Sequence, residues 1–121
     1  MSPKTKSIVG WVLRGLLAVM FVAAASGKVM GVEDWFVRFE NWGLPSWMVY
    51  VTGVMELAGA IGLLIPKLAQ KAALLLIVVM IGAAGTHARA GEWASLPVNA
   101  AYIAVLVGII YLLKPAAAPA E

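Results

Sequence analysis

Cysteine is absent from the 121-residue chain, which excludes disulfide bonds and thiol redox chemistry. The single histidine has no cysteine beside it, so the sequence lacks the ligand set of a typical zinc site. The motifs GxxxxGK(S/T), HExxH and GxSxG are also missing, as is any pair of residues suited to binding haem. We therefore expect no metal, no cofactor and no catalytic activity of the chain's own.

Charge is scarce as well, because charged residues make up 12% of the chain whereas soluble domains carry about 25%. Hydrophobic residues make up 63%, more than a small soluble domain can bury. Four apolar stretches approach the roughly 20 residues that span a bilayer, and backbone groups in lipid must form hydrogen bonds within their own helix. The predicted spans are 8–29, 47–65, 68–88 and 96–113. The sequence thus predicts an all-α integral membrane four-helix bundle, with one domain over 1–114 and a disordered Pro/Ala-rich tail over 115–121.

The net charge of +3 does not indicate a nucleic-acid partner, because the basic residues flank the apolar stretches instead of forming a patch. The basic residues divide between the two ends of the spans, with Lys4, Lys6, Lys67, Lys71 and Lys114 at one end and Lys28, Arg38 and Arg89 at the other. Basic residues favour the cytoplasmic side of a membrane, so we expect both termini to be cytoplasmic.

The first span also has features of a secretory signal, because lysines precede it and residues 23–26 resemble a signal-peptidase site. Arg14, however, interrupts its apolar core. We expect this segment to remain as a membrane span.

The link between the first two spans has the pattern of a short amphipathic helix. Its four aromatic residues share one helical face: Trp35, Phe36, Phe39 and Trp42. Acidic Glu33 and Asp34 suit a helix start. We predict an interfacial helix with its aromatic side either in lipid or on the bundle, and this side is a candidate docking surface.

Arg14 and Glu56 are the deepest charges in the predicted spans. At 1.5 Å of rise per residue they lie roughly 10 Å and roughly 14 Å from the same end of the bundle. Since an unpaired charge in a bilayer is costly, we predict an Arg14–Glu56 ion pair, which has either a structural or a functional role.

A second polar level is predicted near the other end of the bundle. It contains Lys28, Thr86, His87, Asn99 and Tyr102. His87 suits proton relay or binding of an anionic or carbonyl group. The alternatives are that Lys28 extends to the headgroups and that His87 only forms a hydrogen bond with Asn99.

The order of several short segments resembles the DoxX-like family of small four-helix membrane proteins. These segments are Ala-Ser-Gly-Lys at 25–28, Trp-Gly-Leu-Pro at 42–45, Gly-Val-Met-Glu-Leu-Ala-Gly-Ala at 53–60, Leu-Leu-Ile-Pro-Lys at 63–67, Met-Ile-Gly-Ala at 80–83 and Thr-His at 86–87. The resemblance implies a bacterial inner-membrane protein and a role near redox or quinone-linked complexes. Its recurring polar positions correspond to Arg14, Lys28, Glu56, Thr86 and His87.

Three functions follow from these observations. The first is an accessory or assembly subunit of a larger membrane complex, with another membrane protein or a second copy as partner. The second is a bundle that binds a quinone, lipid or similar molecule through Glu56, His87, Lys28 and Asn99. The third is a proton-coupled exporter, which is disfavoured because such proteins carry the essential carboxylate in the first helix, where this chain has Arg14.

Overall fold

The computed structural model describes residues 1–114, which fold into five α-helices and one short 3-10 helix. The helices are α1 (Pro3–Val29), α2 (Glu33–Asn41), α3 (Trp47–Leu63), α4 (Ala69–Arg89) and α5 (Leu96–Leu113), with the 3-10 helix Trp93–Ser95 before α5. The all-α bundle with a short second helix is therefore confirmed. The predicted tail at 115–121 lies outside the described residues.

Three of these segments are long and apolar enough to cross a bilayer: α1, α4 and the combined stretch Trp93–Leu113. The fourth, α3, has 17 residues. At 1.5 Å per residue it is about 25 Å long, at the short limit for a spanning helix. α1 begins at Pro3, five residues before its predicted start, because the Ser2 side chain caps it by accepting from the Thr5 N–H at 3.1 Å.

Both described chain ends lie at one end of the bundle, here called the termini end. There the Lys6 ammonium donates to the Lys114 carbonyl at 3.3 Å. The packed apolar core extends from this end toward the middle and is built from Leu17, Ala18, Phe21, Ala60, Leu63, Ala72, Ala73, Leu76, Met80, Leu106 and Ile109. The opposite end, covered by α2, is here called the α2 end.

Close contact between α3 and α4 near the termini end depends on small residues. A Cβ atom added at Gly59 would lie 2.5 Å from Leu76 Cδ2, and one added at Gly62 would lie 2.7 Å from Ala72 Cβ. Small residues let membrane helices approach each other closely. Toward the α2 end, α3 and α4 contribute to the wall of a cavity.

The aromatic side of α2 lies on the bundle. Phe39 is 4% exposed, and the Phe36 ring packs edge-on against Tyr50 with centroids 5.5 Å apart. Gly31 and Gly43, with φ of 72° and 76°, turn the chain into and out of this helix. Of the two predicted placements of this aromatic side, the one on the bundle is observed, with Phe39 buried and Trp35, Phe36 and Trp42 half-buried. A docking role for these residues stays a prediction.

Candidate functional site

A cavity of about 430 Å³ lies at the α2 end of the bundle, between α1, α3, α4 and α5 and beneath α2. Most of its wall is apolar. Six of the seven predicted polar residues line it: Lys28, Glu56, Thr86, His87, Asn99 and Tyr102. Three of the four predicted aromatic residues line it too, namely Trp35, Phe39 and Trp42. Arg14 and Phe36 lie outside this lining.

Lys28 and Glu56 form a buried ion pair in the cavity wall. The Lys28 ammonium lies 2.7 Å from Glu56 Oε1, and the two side chains are 7% and 4% exposed. The ammonium also lies 3.9 Å from the centroid of the Trp35 ring. Lys28 thus points into the protein, so the alternative that it extends to the headgroups is wrong.

The predicted Arg14–Glu56 pair is also wrong. Arg14 is 4% exposed, donates from Nη1 to the Leu63 carbonyl at 3.4 Å and stacks 3.7 Å from the centroid of Trp11. The reason lies in the packing of α1 against α3. A Cβ atom at Gly53 would lie only 2.7 Å from Lys28 Cβ, so Lys28 packs directly against α3 at Gly53. Gly53 is one helical turn from Glu56, and Lys28 is therefore the α1 residue that contacts this carboxylate.

Asn99 is the most deeply buried uncharged polar residue of the cavity, at 7% exposed. Its Nδ2 group lies 3.9 Å from Met80 Sδ, a weak contact. Its Oδ1 atom has no hydrogen-bond partner within residues 1–114. Because a buried acceptor without a partner costs free energy, this atom marks a place where a ligand donor would be stabilising.

Thr86 and Tyr102 complete the polar part of the wall. The Thr86 hydroxyl donates to the Gly82 carbonyl one turn earlier at 2.9 Å, so its oxygen can still accept a hydrogen bond. The Tyr102 ring packs against Phe21 with centroids 5.3 Å apart.

His87 contacts Glu92 and not Asn99. The alternative that His87 only forms a hydrogen bond with Asn99 is therefore wrong. His87 Nδ1 lies 2.7 Å from Glu92 Oε1. The cause is the turn that ends α4: Gly91, with φ of 76°, reverses the chain so that the Glu92 N–H donates to the His87 carbonyl at 2.8 Å. Glycine adopts this backbone conformation without steric cost. The turn places the two side chains together.

The same carboxylate joins α4 to α2. The Trp42 indole donates to Glu92 Oε1 at 3.0 Å, and the Arg89 guanidinium donates to the Trp42 carbonyl. We call His87, Glu92, Trp42 and Arg89 the latch. The hydrogen bond with His87 is the main cause that lowers the pKa of Glu92, and the Trp42 bond and the charges of His87 and Arg38 add to it.

The latch separates the cavity from the polar surface. Trp42 and His87 line both the cavity and a second, outer cleft of about 310 Å³ that also contains Arg38 and Glu92. The Trp42 and His87 side chains therefore form the wall between the cavity and the outer cleft, and the hydrogen bonds of the latch hold this wall in place.

The cavity has a mouth on the apolar flank of the bundle. Val51 of α3 and Val78 of α4 both line it, yet they are 43% and 61% exposed on the outer surface. Gly82 lies one turn from Val78, is exposed and also lines the cavity. We call the gap bounded by Val51, Val78 and Gly82 the side opening. In a bilayer it faces hydrocarbon.

The sequence prediction missed several site residues. Thr52, Met48 and Met55 line the cavity from α3, and Glu92 holds the latch. Thr52 lies four residues before Glu56, on the same helical face, which was the available signal. The Gly91-Glu92 pair after a basic helix end was the signal for the latch. Nothing in the apolar pattern distinguishes the two methionines.

The cavity suits an uncharged or amphiphilic molecule better than a metal ion. Within residues 1–114 there is no group of three or more His, Asp or Glu residues positioned to bind a metal. The apolar walls and the few converging polar groups are typical of small-molecule sites between the helices of a bundle.

Comparison with known proteins gives a family but no individual relative. No match was found among curated proteins or among solved structures. The model of the DoxX-like family matches residues 12–109, which include α2 to α4, most of α1 and α5, and every residue of the cavity and the latch. The chain is thus a multi-pass membrane protein and belongs to the DoxX-like family.

Proposed function

We propose that this protein binds an amphiphilic small molecule of the bilayer in the cavity beneath α2. The observation that carries the proposal is the combination of an apolar cavity, buried polar groups at its α2 end and a side opening on the lipid-facing flank. A molecule with a polar head and an apolar body matches all three features.

The dimensions support this proposal. Small-molecule sites in proteins typically occupy about 300–1,000 Å³, and the cavity measures about 430 Å³. Four methionines contribute to its walls: Met20, Met48, Met55 and Met80. Methionine side chains are flexible and polarisable, so they adapt to apolar ligands of different shape.

The side opening supports a route from the membrane. Val51 and Val78 are exposed apolar residues at the level of the cavity, so an apolar chain enters there without first crossing water. The polar head then reaches Lys28, Glu56 and Asn99. This route predicts that the ligand partitions into lipid before it binds.

The accessory-subunit hypothesis remains a prediction, as does a quinone ligand. The accessory-subunit hypothesis is supported by the small size of the chain, the lack of a catalytic motif and an aromatic face on α2 suited to docking. That surface packs on the chain's own bundle, with Phe39 4% exposed and Trp35 against Lys28. We therefore rank ligand binding first.

For the membrane placement we propose a bacterial inner membrane with both termini in the cytoplasm and α2 on the opposite face. The lysines at 4, 6, 67, 71 and 114 support this orientation. Because the chain has no cysteine, single cysteines at exposed Ser7 and Asn41 serve as reporters. A membrane-impermeant maleimide applied to spheroplasts should label Asn41→Cys and leave Ser7→Cys unlabelled, and the reverse result would contradict the orientation.

A photo-crosslinking experiment tests the binding proposal. The purified protein in lipid nanodiscs is irradiated with an alkyl diazirine that carries a terminal hydroxyl group, and the labelled residues are mapped by mass spectrometry. We expect saturable labelling of cavity residues such as Met55 and Val79.

Two glycine variants supply the matched comparison. A Cβ atom added at Gly82 meets nothing within 4 Å, and Gly82 lines the mouth of the cavity, so the ring of Gly82→Phe should block labelling. Gly85, on the same helix, also has open space but does not line the cavity, so Gly85→Phe should be labelled normally. Labelling that is not saturable, or that survives Gly82→Phe, would refute the proposal.

A further inference from the structure

The charged hydrogen-bond donor of the cavity, the Lys28 ammonium, is occupied. An ammonium group has three N–H donors, and that of Lys28 has three neighbours: Glu56 Oε1 at 2.7 Å, the Ala24 carbonyl at 3.3 Å and the Trp35 ring at 3.9 Å. The positive charge is balanced by the adjacent carboxylate. Lys28 therefore has neither a free N–H donor nor an unbalanced positive charge with which to attract an anion or a carbonyl oxygen.

The acceptors of the cavity are largely free. Asn99 Oδ1 is buried and has no partner within the described residues. The Thr86 hydroxyl donates its hydrogen bond to the Gly82 carbonyl, so its oxygen can still accept one from a ligand. The Glu56 carboxylate has about four lone-pair positions and one close cation.

The latch adds another acceptor to this wall. A carboxylate only accepts hydrogen bonds, so His87 Nδ1 is the donor in its 2.7 Å contact with Glu92. In the neutral ring the other nitrogen, Nε2, is then an acceptor. The Trp42 indole, which would otherwise be a donor for the ligand, also bonds Glu92.

The hydroxyls of Thr52 and Tyr102 favour neither a donor nor an acceptor ligand, since a hydroxyl both donates and accepts. The Asn99 amide also carries two N–H donors, whose contact with Met80 Sδ at 3.9 Å is weak. This amide is set against the acceptor oxygens of Asn99, Glu56 and Thr86, so acceptors still outnumber the free donors. The balance is set by the remaining groups. We infer that the cavity selects a ligand whose head is an uncharged hydrogen-bond donor, namely an alcohol or a phenol on an apolar body. This inference rests on the proposed function and specifies the ligand class for the same site.

Four probes of equal alkyl length separate the chemistries: para-octylphenol, its methyl ether, para-octylacetophenone and para-octylbenzoate. Each competes with the alkyl diazirine for photo-crosslinking in nanodiscs of uncharged lipid, and membrane partitioning of each probe is measured separately. Because leaving a buried acceptor without a partner costs about 1–3 kcal/mol, the phenol should bind about fivefold to a hundredfold more tightly than the other three probes.

Asn99→Leu removes the buried acceptor and should bring the phenol-to-ether affinity ratio close to one, with the affinity for the ether retained. Asn99→Asp keeps an acceptor and should retain the preference for the phenol. Asn41→Leu, an exposed site outside the cavity, is the control and should behave as wild type.

The outcomes separate the two proposals. If none of the four probes competes with the diazirine, the proposed function fails. If the probes compete but the ether, ketone or benzoate binds as tightly as the phenol, ligand binding stands and the donor-head inference is overturned. The ratio measured on the wild-type protein decides this point even if the Asn99 variants do not fold.

Discussion

Removing one partner of the Lys28–Glu56 pair should destabilise the bundle far more than removing both. The two side chains are 7% and 4% exposed and their charged atoms lie 2.7 Å apart, so each variant alone leaves a buried charge without its counter-ion. Loss of one partner of a buried pair typically costs 3–5 kcal/mol. We expect Lys28→Met to fall in this range, about 3–5 kcal/mol.

Glu56→Gln should cost less, about 2–3 kcal/mol, because Lys28 keeps the Ala24 carbonyl and the Trp35 ring as neighbours. Replacing both residues removes both charges, and such replacements are often close to neutral. The double variant should therefore lie within about 1–2 kcal/mol of the wild type. The resulting coupling energy is at least about 3 kcal/mol.

The free energy of unfolding is measured in bicelles by steric trapping for the wild type, each single variant and the double variant. A second cycle with Arg14→Met and Glu56→Gln is the matched control. Arg14 contacts Trp11 and the Leu63 carbonyl instead of Glu56, so this cycle should be additive within about 0.5 kcal/mol. A coupling below about 1 kcal/mol in the first cycle, or a large one in the second, would refute this assignment of the ion pair.

Three further predictions concern packing and the latch. Gly59→Leu should destabilise the bundle by about 1–3 kcal/mol because its side chain meets Leu76, whereas Gly85→Leu, in open space, should stay within about 0.5 kcal/mol of the wild type in the same unfolding assay. Glu92→Gln weakens the contact with His87 at pH 7, so amide hydrogen exchange in α2 should accelerate while exchange in α1 stays unchanged; equal rates in α2 would contradict the latch. The folded pKa of Glu92 is depressed, so the stability that the latch contributes is present above the unfolded pKa and is lost as pH falls through the folded pKa. Protection of α2, corrected for intrinsic exchange, should therefore decline as the pH falls below the unfolded pKa of a glutamate, about 4.3, and should be nearly flat over the same range in Glu92→Gln.

The helices were predictable from the sequence because lipid imposes both their length and their hydrogen bonding. The fourth span was placed at 96–113, and α5 is Leu96–Leu113. The other spans differ by a few residues, chiefly at the start of α1, where the Ser2 cap extends the helix into polar sequence. Hydropathy and helix length contain this information almost completely.

The partners of the charged residues were not predictable in the same way. Depth along the helix axis placed Arg14 near Glu56, but depth does not determine which residue faces α3 most closely. That choice depends on Gly53, where the absence of a side chain lets Lys28 approach. Likewise, the sequence offers Asn99 as one partner for His87, whereas the turn at Gly91 brings Glu92 to it.

The cavity itself could not be derived from the sequence pattern. The five residues of the predicted polar level do line one space, together with Glu56, which the sequence places at a different level. α3 and α4 touch at Gly59 and Leu76, and farther toward the α2 end both helices line the cavity. How far two packed helices separate along their length depends on how they cross, which a pattern along one chain does not specify.

The packed core at the termini end closes the cavity toward that end of the bundle. Phe21, Leu76 and Leu106 fill the bundle beyond the polar residues, each at most 2% exposed. A molecule that enters between α3 and α4 therefore meets packed side chains on the termini side, and a route through the bundle would require this core to open. Occupancy of the proposed ligand site would follow the concentration of the ligand in the leaflet onto which the side opening faces.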